Sequence, residues 1–519
     1  MKRFQSTFLV LFIFLIFNTG FTQITSAEVD ALVENALKEF NTAGAAVAIV
    51  KDGKIIHSKG YGLISVDTKK PVNKFTSFAI ASNSKAFTTT ALAMLVEEGK
   101  INWDDKVVQH IPEFKMYNAY VTENFSIIDL LTHRSGLSLG IGDLMWVPDG
   151  SNFTIDDLLT NFQYFKPVSA FRTQFDYDNL LYFVAGELIK RVSGMPWEEF
   201  VKKRIFDPLG MNQSYTSINQ IKDFSNIAVP HTTEKGPIRT TSHYEQMMNG
   251  AAAGIIANVD DLSRWMLVHL NKGKYANDLK KQLFSEKSQN QMWQIYTPQT
   301  VNKNPRYNSH FRGYGLGWGL TDLNGNLSVS HTGGLPGMLS KTILIPDLNL
   351  GVVVLTNTSN GGAGVFSAVS KTIVDSYLGL EDNNWTKKYS EYFTKQESEG
   401  NAISKKVWET VTKTSNNKIN SDDYIGIYKD NWFGKVTISL KNGKLWFTSH
   451  RSPKLNGPMA YYKANTFAIE WEFQDMNGDA FAMFALDEEG KAQSIKMKGI
   501  SPNIDFSFDF QDLDLQRVE

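Results

Sequence analysis

The alternation of apolar and polar positions along the chain separates into three regimes. Val29 to Phe40 repeats apolar residues at helical spacing. Ala45 to Val50 is a continuous apolar run, followed by an Asp-Gly turn at Lys51-Asp52-Gly53-Lys54 and a second run from Ile55 to Tyr61, the pattern of a β-hairpin. Phe87, Leu92, Leu95 and Val96 then recur at helical spacing up to Gly99, a C-terminal stop. Ile101 to Phe114 reads as a connector, Ser126 to Thr132 as a short helix, and Leu144 to Phe175 as irregular, aromatic-rich cover. Helical periodicity returns at Leu180 to Val192, Pro196 to Ile205 and Val259 to Leu270.

Past residue 312 the period shortens. Gly313 to Gly319, Leu327 to His331, Leu339 to Ile345 and Gly351 to Leu355 predict consecutive strands, and Gly364 to Tyr377 a closing helix. Strands at both ends with helices between them predict an α/β (α+β) unit over 28–380: an antiparallel sheet flanked by helices, with a helical insert. Residues 381–420 are charged and polar and read as a linker with helical pieces. Beyond it, six short segments alternate with turns: Tyr424 to Tyr428, Lys435 to Leu440, Lys444 to Thr448, Thr466 to Phe473, Ala480 to Leu486 and Ser494 to Lys498. They predict a small all-β barrel or sandwich over 421–519.

Composition narrows the function classes. A net charge of -1 and the lack of a basic stripe give no pull on nucleic acid. Met1-Lys2-Arg3, an apolar run from Thr7 to Phe17 and small residues at Thr25-Ser26-Ala27 match a secretory signal over 1–27, and predict export to the periplasm or medium. The run is short for a bilayer span, and no later stretch is long and apolar enough to be one. The chain has no cysteine, so neither a disulfide nor a thiol nucleophile is available. Its nine histidines show neither His-Glu-x-x-His nor His-x-His, so no metal site is expected.

The candidate chemistry begins at Ser82-Asn83-Ser84-Lys85, at the start of the Phe87 helix. Three residues apart, Ser82 and Lys85 share a helix face, which sets an amine against a hydroxyl. Ser-x-x-Lys should occur once or twice by chance in a chain of this length. A second copy, Ser415 to Lys418, lies in a polar run and reads as linker. His331-Thr332-Gly333, followed by Gly334, ends a predicted strand, with His331 and Gly333 on one face. Of two Tyr-x-Asn triplets, Tyr177-Asp178-Asn179 directly precedes a strong helix, whereas Tyr275-Ala276-Asn277 lies in a polar turn. Gly136-Leu137-Ser138-Leu139-Gly140 matches a nucleophile elbow but lacks the flanking strand and helix that such an elbow needs.

Ser82-x-x-Lys85, Tyr177-x-Asn179 and His331-Thr332-Gly333, in that order, resemble the serine β-lactamase and penicillin-binding protein family. That family includes class C β-lactamases, DD-peptidases, D-aminopeptidases and esterases. Leu130 to Leu137, Phe175 to Asn179 and Asp207 to Met211 add matching context over residues 28–380, and the C-terminal segment resembles a lipocalin-like β-domain. The resemblance implies a Ser82 acyl-enzyme with Lys85 and Tyr177 as the base system, a phenolate at Tyr177 favoured by the neighbouring cation, and no cofactor. It implies an oxyanion hole from the Ser82 and Gly334 N–H groups, each donor contributing about 3 kcal/mol. Asn179 would hold a substrate amide, and Thr332 a substrate carboxylate or carbonyl.

Histidine stands at 331 where β-lactamases of this family usually carry lysine, so anionic β-lactams should be favoured less. The function expected is a hydrolase of amide or ester bonds in a small-molecule or peptide substrate. Peptidase or D-amino-acid amidase activity comes first, an esterase or weak β-lactamase second, and a non-turnover receptor is the rival of another class. Arg312 is one of several arginines that would reach a substrate carboxylate. Oligomeric state is left open.

Overall fold

A computed structural model describes residues 23–518 except 246, 247, 249, 277 and 302. The basic residues and apolar run of the expected signal lie outside the described residues. Thr25 caps the first helix, Ser26–Glu39, through a capping box with Glu28.

That helix leads into the hairpin Gly44–Lys51 and Lys54–Gly62, which opens an eight-stranded antiparallel sheet. Next to the hairpin come Leu350–Thr356, Met338–Ile345, Asn326–Leu335, Gly319–Leu323, Arg312–Tyr314 and Thr297–Pro298, in that spatial order. Strand Gly44–Lys51 is buried on both faces, which explains its unbroken apolar run. Ala45, Val47 and Ile49 pack with helices Ser26–Glu39 and Ser359–Tyr377, whereas Ala46, Ala48 and Val50 face the main core. Helices Ser84–Glu97, Leu180–Ser193 and Val259–Leu270 fill that second side.

The segment expected to be a linker is instead one 30-residue helix, Trp385–Thr414. Its charge hides sparse anchors at i, i+4 spacing. The Trp385 and Tyr389 rings meet tilted at 5.7 Å, Tyr389 stacks near Phe393 at 6.0 Å, and the Trp385 indole N–H donates to Asp375. Farther along, Val407 is buried with Ala468 and Phe481 of the C-terminal domain. The helix therefore joins the two domains as a packed strut.

The C-terminal domain is a closed eight-stranded barrel running from Gly426–Asp430 round to Leu515–Arg517. Two of its strands, Asn456–Lys463 and Leu515–Arg517, were not foreseen: the first breaks alternation with Gly457 and Pro458, and the second is three residues long. Before the last strand the chain makes a loop, 500–512, that leaves the barrel wall and reaches the larger domain.

Candidate active site

Ser82 lies in a single 3-10 turn, Ala81–Asn83, directly before helix Ser84–Glu97. The turn is entered through Ala81 at φ 48°, a left-handed conformation that sets the serine at the bend. Ser82 keeps partial exposure while Lys85, one turn on, is fully buried. Lys85 Nζ lies 3.1 Å from Ser82 Oγ, 2.8 Å from Asn179 Oδ1 and 3.2 Å from the Ala252 carbonyl oxygen. Its ammonium also sits over the rings of Tyr177 (4.8 Å) and Tyr182 (5.1 Å).

Burial is the largest influence on Lys85 and lowers its pKa to about 7, against the opposing pull of Asp143 and Asp178. A large fraction of the amine is therefore neutral near pH 7 and able to accept the Ser82 proton. Both carboxyls are buried themselves, and burial raises Asp143 to about 7 and Asp178 to about 8. Asp143 was not foreseen. It sits in an irregular segment without periodicity, and its position becomes visible only when loop and helix meet.

Tyr177 departs from the phenolate implied by the resemblance. Burial raises its pKa well above the ordinary phenol value, and the hydrogen bond with Ser82 only partly opposes this. The cation that was to lower it is partly neutral, and His133 and Phe506 flank the Tyr177 ring. Tyr177 therefore stands as a proton donor at neutral pH. His133, at φ 53°, lies beneath it with ring centroids 4.2 Å apart, and burial keeps His133 well below the usual imidazole range.

Asn179, just before helix Leu180–Ser193, is buried and already engaged. Its Oδ1 accepts from Lys85 and its Nδ2 donates to Asp143 Oδ2 at 2.8 Å. It is placed to position the lysine more than to hold a substrate amide.

On the other wall, strand Asn326–Leu335 pairs with Gly319–Leu323 only as far as Ser330, so 331–335 present a free edge on that side among the described residues. Gly333 makes the close approach possible: a Cβ there would stand 2.1 Å from the Ile80 carbonyl oxygen and 3.0 Å from the Ser82 nitrogen. Thr332 and Gly334 are exposed, on the opposite alternation from buried His331. The Tyr314 hydroxyl and His331 Nε2 are 2.8 Å apart, and His331 Nδ1 faces the Thr332 carbonyl. The carbonyl requires a proton on Nδ1, so Nε2 accepts from Tyr314. Burial, with Lys85 nearby, lowers His331 to about 3. The position is neutral at physiological pH.

The decoys fall elsewhere. Ser138 follows a helix rather than a strand, and its hydroxyl donates to Asp512 at 3.1 Å. Ser415 and Lys418 are exposed beyond the long helix. Tyr275 lies in a two-stranded ribbon pairing only with Lys281–Gln282, and Asn277 falls outside the described residues. Arg312 is exposed and is not among the residues lining the cavity beside Gly334.

Serine, buried lysine, tyrosine and a strand edge thus converge from three separated stretches of sequence. A profile of the beta-lactamase family matches residues 29–368, about two thirds of the chain. The chain belongs to the beta-lactamase family. A second profile, described as a domain of unknown function (DUF3471), matches 412–517. Among curated relatives, protein flp of Staphylococcus aureus is 29% identical over 346 residues, 66% of this chain and 65% of that protein, so the match leaves about a third of the relative unspanned. The unguisins hydrolase ungD of Aspergillus violaceofuscus is 26% identical over 397 residues, 72% of this chain and 69% of that one. The octameric penicillin-binding protein homologue from Pyrococcus abyssi shares the fold with a TM-score of 0.60 at 21% identity, covering 95% of this chain and 100% of that chain. A penicillin-binding protein from Bacillus halodurans gives a TM-score of 0.54 at 21% identity, covering 65% of this chain and 99% of that one. This family has a beta-lactamase fold and is one of serine hydrolases.

Proposed function

We propose that this beta-lactamase-family protein hydrolyses amide or ester bonds through an acyl-enzyme on Ser82. The observation that carries the reading is a buried amine, with its pKa near 7, 3.1 Å from a partly exposed serine hydroxyl. Neutral Lys85 takes the Ser82 proton as Oγ attacks the carbonyl carbon. Tyr177, protonated and hydrogen-bonded to Ser82, donates to the leaving amine or alkoxide. Water then attacks the acyl carbon, with the same groups working in reverse.

For substrate, a small peptide or amide bearing a free amine is favoured over a carboxylate-bearing β-lactam. Residue 331 supplies no fixed positive charge. A cavity of about 470 Å³ opens beside Gly334, and Glu234, Glu397, Asp475 and Asp505 are on its walls with no lysine or arginine among its described lining. Asp475 is paired with Arg239, and Glu234 Oε1 accepts from Asn360 Nδ2 at 3.0 Å. Such walls attract an ammonium and repel a carboxylate.

Multiple-turnover release of nitrophenol from nitrophenyl acetate, lost in Ser82→Ala, tests the enzyme reading. A single stoichiometric burst without turnover would instead make the protein a receptor. The basic and apolar amino-terminal pattern supports export as part of the same proposal; mature protein with an unprocessed Met1 in the cytoplasm would contradict it.

A further inference from the structure

The loop 500–512 of the barrel contacts the larger domain beside the catalytic groups. The Ser507 hydroxyl donates to Asp143 Oδ2 at 2.8 Å, the oxygen that also accepts from Asn179 Nδ2. Asn179 Oδ1 in turn meets Lys85 Nζ. Asp509 fixes the turn that carries Asp143, accepting from the Gly142 N–H at 2.6 Å and the Leu144 N–H at 2.9 Å. Phe506 sets its ring edge-to-face with Tyr177 at 6.0 Å and packs so close to Gly140 that a Cβ there would be 2.7 Å from the Phe506 ring.

We propose that the C-terminal barrel holds the catalytic lysine in place through a three-link chain: Ser507 positions Asp143, Asp143 positions Asn179, and Asn179 positions the Lys85 amine. This rests on the reading of Ser82 and Lys85 as nucleophile and base. Ser507 is a positioning residue, since it touches neither the reacting atoms nor the substrate.

The chain is also electrostatic. The groups facing Lys85 are Asp143, Asp178, Tyr177, Tyr182, His133 and His331; those facing Asp143 are Lys85, Asp178, Asp509, Tyr177, Tyr244, Trp146, Asn179 and Ser507. Hydroxyl donation from Ser507 favours the Asp143 carboxylate, and that carboxylate favours the Lys85 ammonium. Removing the hydroxyl raises Asp143, weakens its negative charge near neutrality, and leaves the lysine neutral to lower pH.

The test is the pH profile of kcat/KM of the full chain for nitrophenyl acetate. Ser507→Ala should lower the plateau about tenfold, as expected for one lost hydrogen bond to a charged group, and move the acidic limb to lower pH. Ser507→Thr should restore both. Asp143→Asn, which removes the charge while keeping the shape, should move the limb the same way, and it decides the matter if Ser507→Ala does not fold. An acidic limb that stays in place in every folded variant overturns the positioning chain. If Ser82→Ala is inactive in the same series, that failure leaves the Ser82 reading standing; turnover in Ser82→Ala overturns the reading beneath it.

Discussion

At Lys85 a full burial that would usually be destabilising for an ammonium makes the free amine available near neutral pH. The side chain has no exposed surface, and two neighbouring carboxyls only partly offset its desolvation. Because its pKa is lowered to about 7, the base form grows as pH rises through that value, and kcat/KM should rise with it. Tyr177 moves the other way: burial raises it well above the ordinary phenol value, so phenol ionisation should add no basic limb below that ordinary value. A pH–rate profile that falls between pH 6 and 8 would contradict this assignment. Lys85→Arg keeps the charge and cannot release a proton, so its rate should drop by about 10³ or more. Tyr177→Phe should cost about 10²–10⁴ in kcat, and Tyr275→Phe almost nothing; stopped assays on the two purified variants separate them, and equal losses would remove Tyr177 from the mechanism. His331→Lys should increase acylation by penicillins, since a neutral ring accepting from Tyr314 gives way to a cation beside the strand edge. An unchanged acylation rate would show that position 331 does not set anion preference.

Among the elements, the strand edge 331–335 and the turn Ala81–Asn83 depend on one another. Gly333→Ala would force its Cβ against the Ile80 carbonyl, which is backbone and cannot swing aside. Overpacking of this kind costs about 1–3 kcal/mol, and here it also displaces Ser82, so activity should fall much further than the melting temperature. Thermal melts beside turnover rates check the split. Much of this level was legible from periodicity. Helix Val259–Leu270 has the bounds its spacing predicts, and the hairpin and the strands around Leu327, Leu339 and Gly351 form where alternation placed them. The stretch expected as one strand, Gly313 to Gly319, is instead a tight turn between Arg312–Tyr314 and the unforeseen strand Gly319–Leu323, because its glycines let the chain reverse. The long helix Trp385–Thr414 was not legible, because its few apolar anchors are diluted by charge and its stability comes from tertiary packing. Ser82, Lys85 and Tyr177 were readable as motifs. Asp143 and Ser507 were not, since both sit in aperiodic loops 364 residues apart in sequence and meet only through the fold.

For the whole molecule, the two domains share one functional wall. Besides the 500–512 loop, Arg451 of the barrel forms a bidentate pair with Asp157, donates to Asn152 and lies over the Phe153 ring at 3.9 Å. These groups are partly solvent-exposed, so Arg451→Ala should cost only about 1 kcal/mol of stability, with a larger effect at low salt. Denaturant titration at two ionic strengths measures it, and no change at either would show that this contact does not tie the domains. The acidic cavity between strand edge, long helix and barrel is a property of the assembled chain, since no single domain supplies all its walls. The central claim, however, concerns one atom. Intact-mass analysis after exposure to a fluorophosphonate, followed by peptide mapping, tests it most directly. The expected result is a single adduct on Ser82 that is missing from Ser82→Ala. An adduct on Ser138, or one that persists in Ser82→Ala, would contradict it.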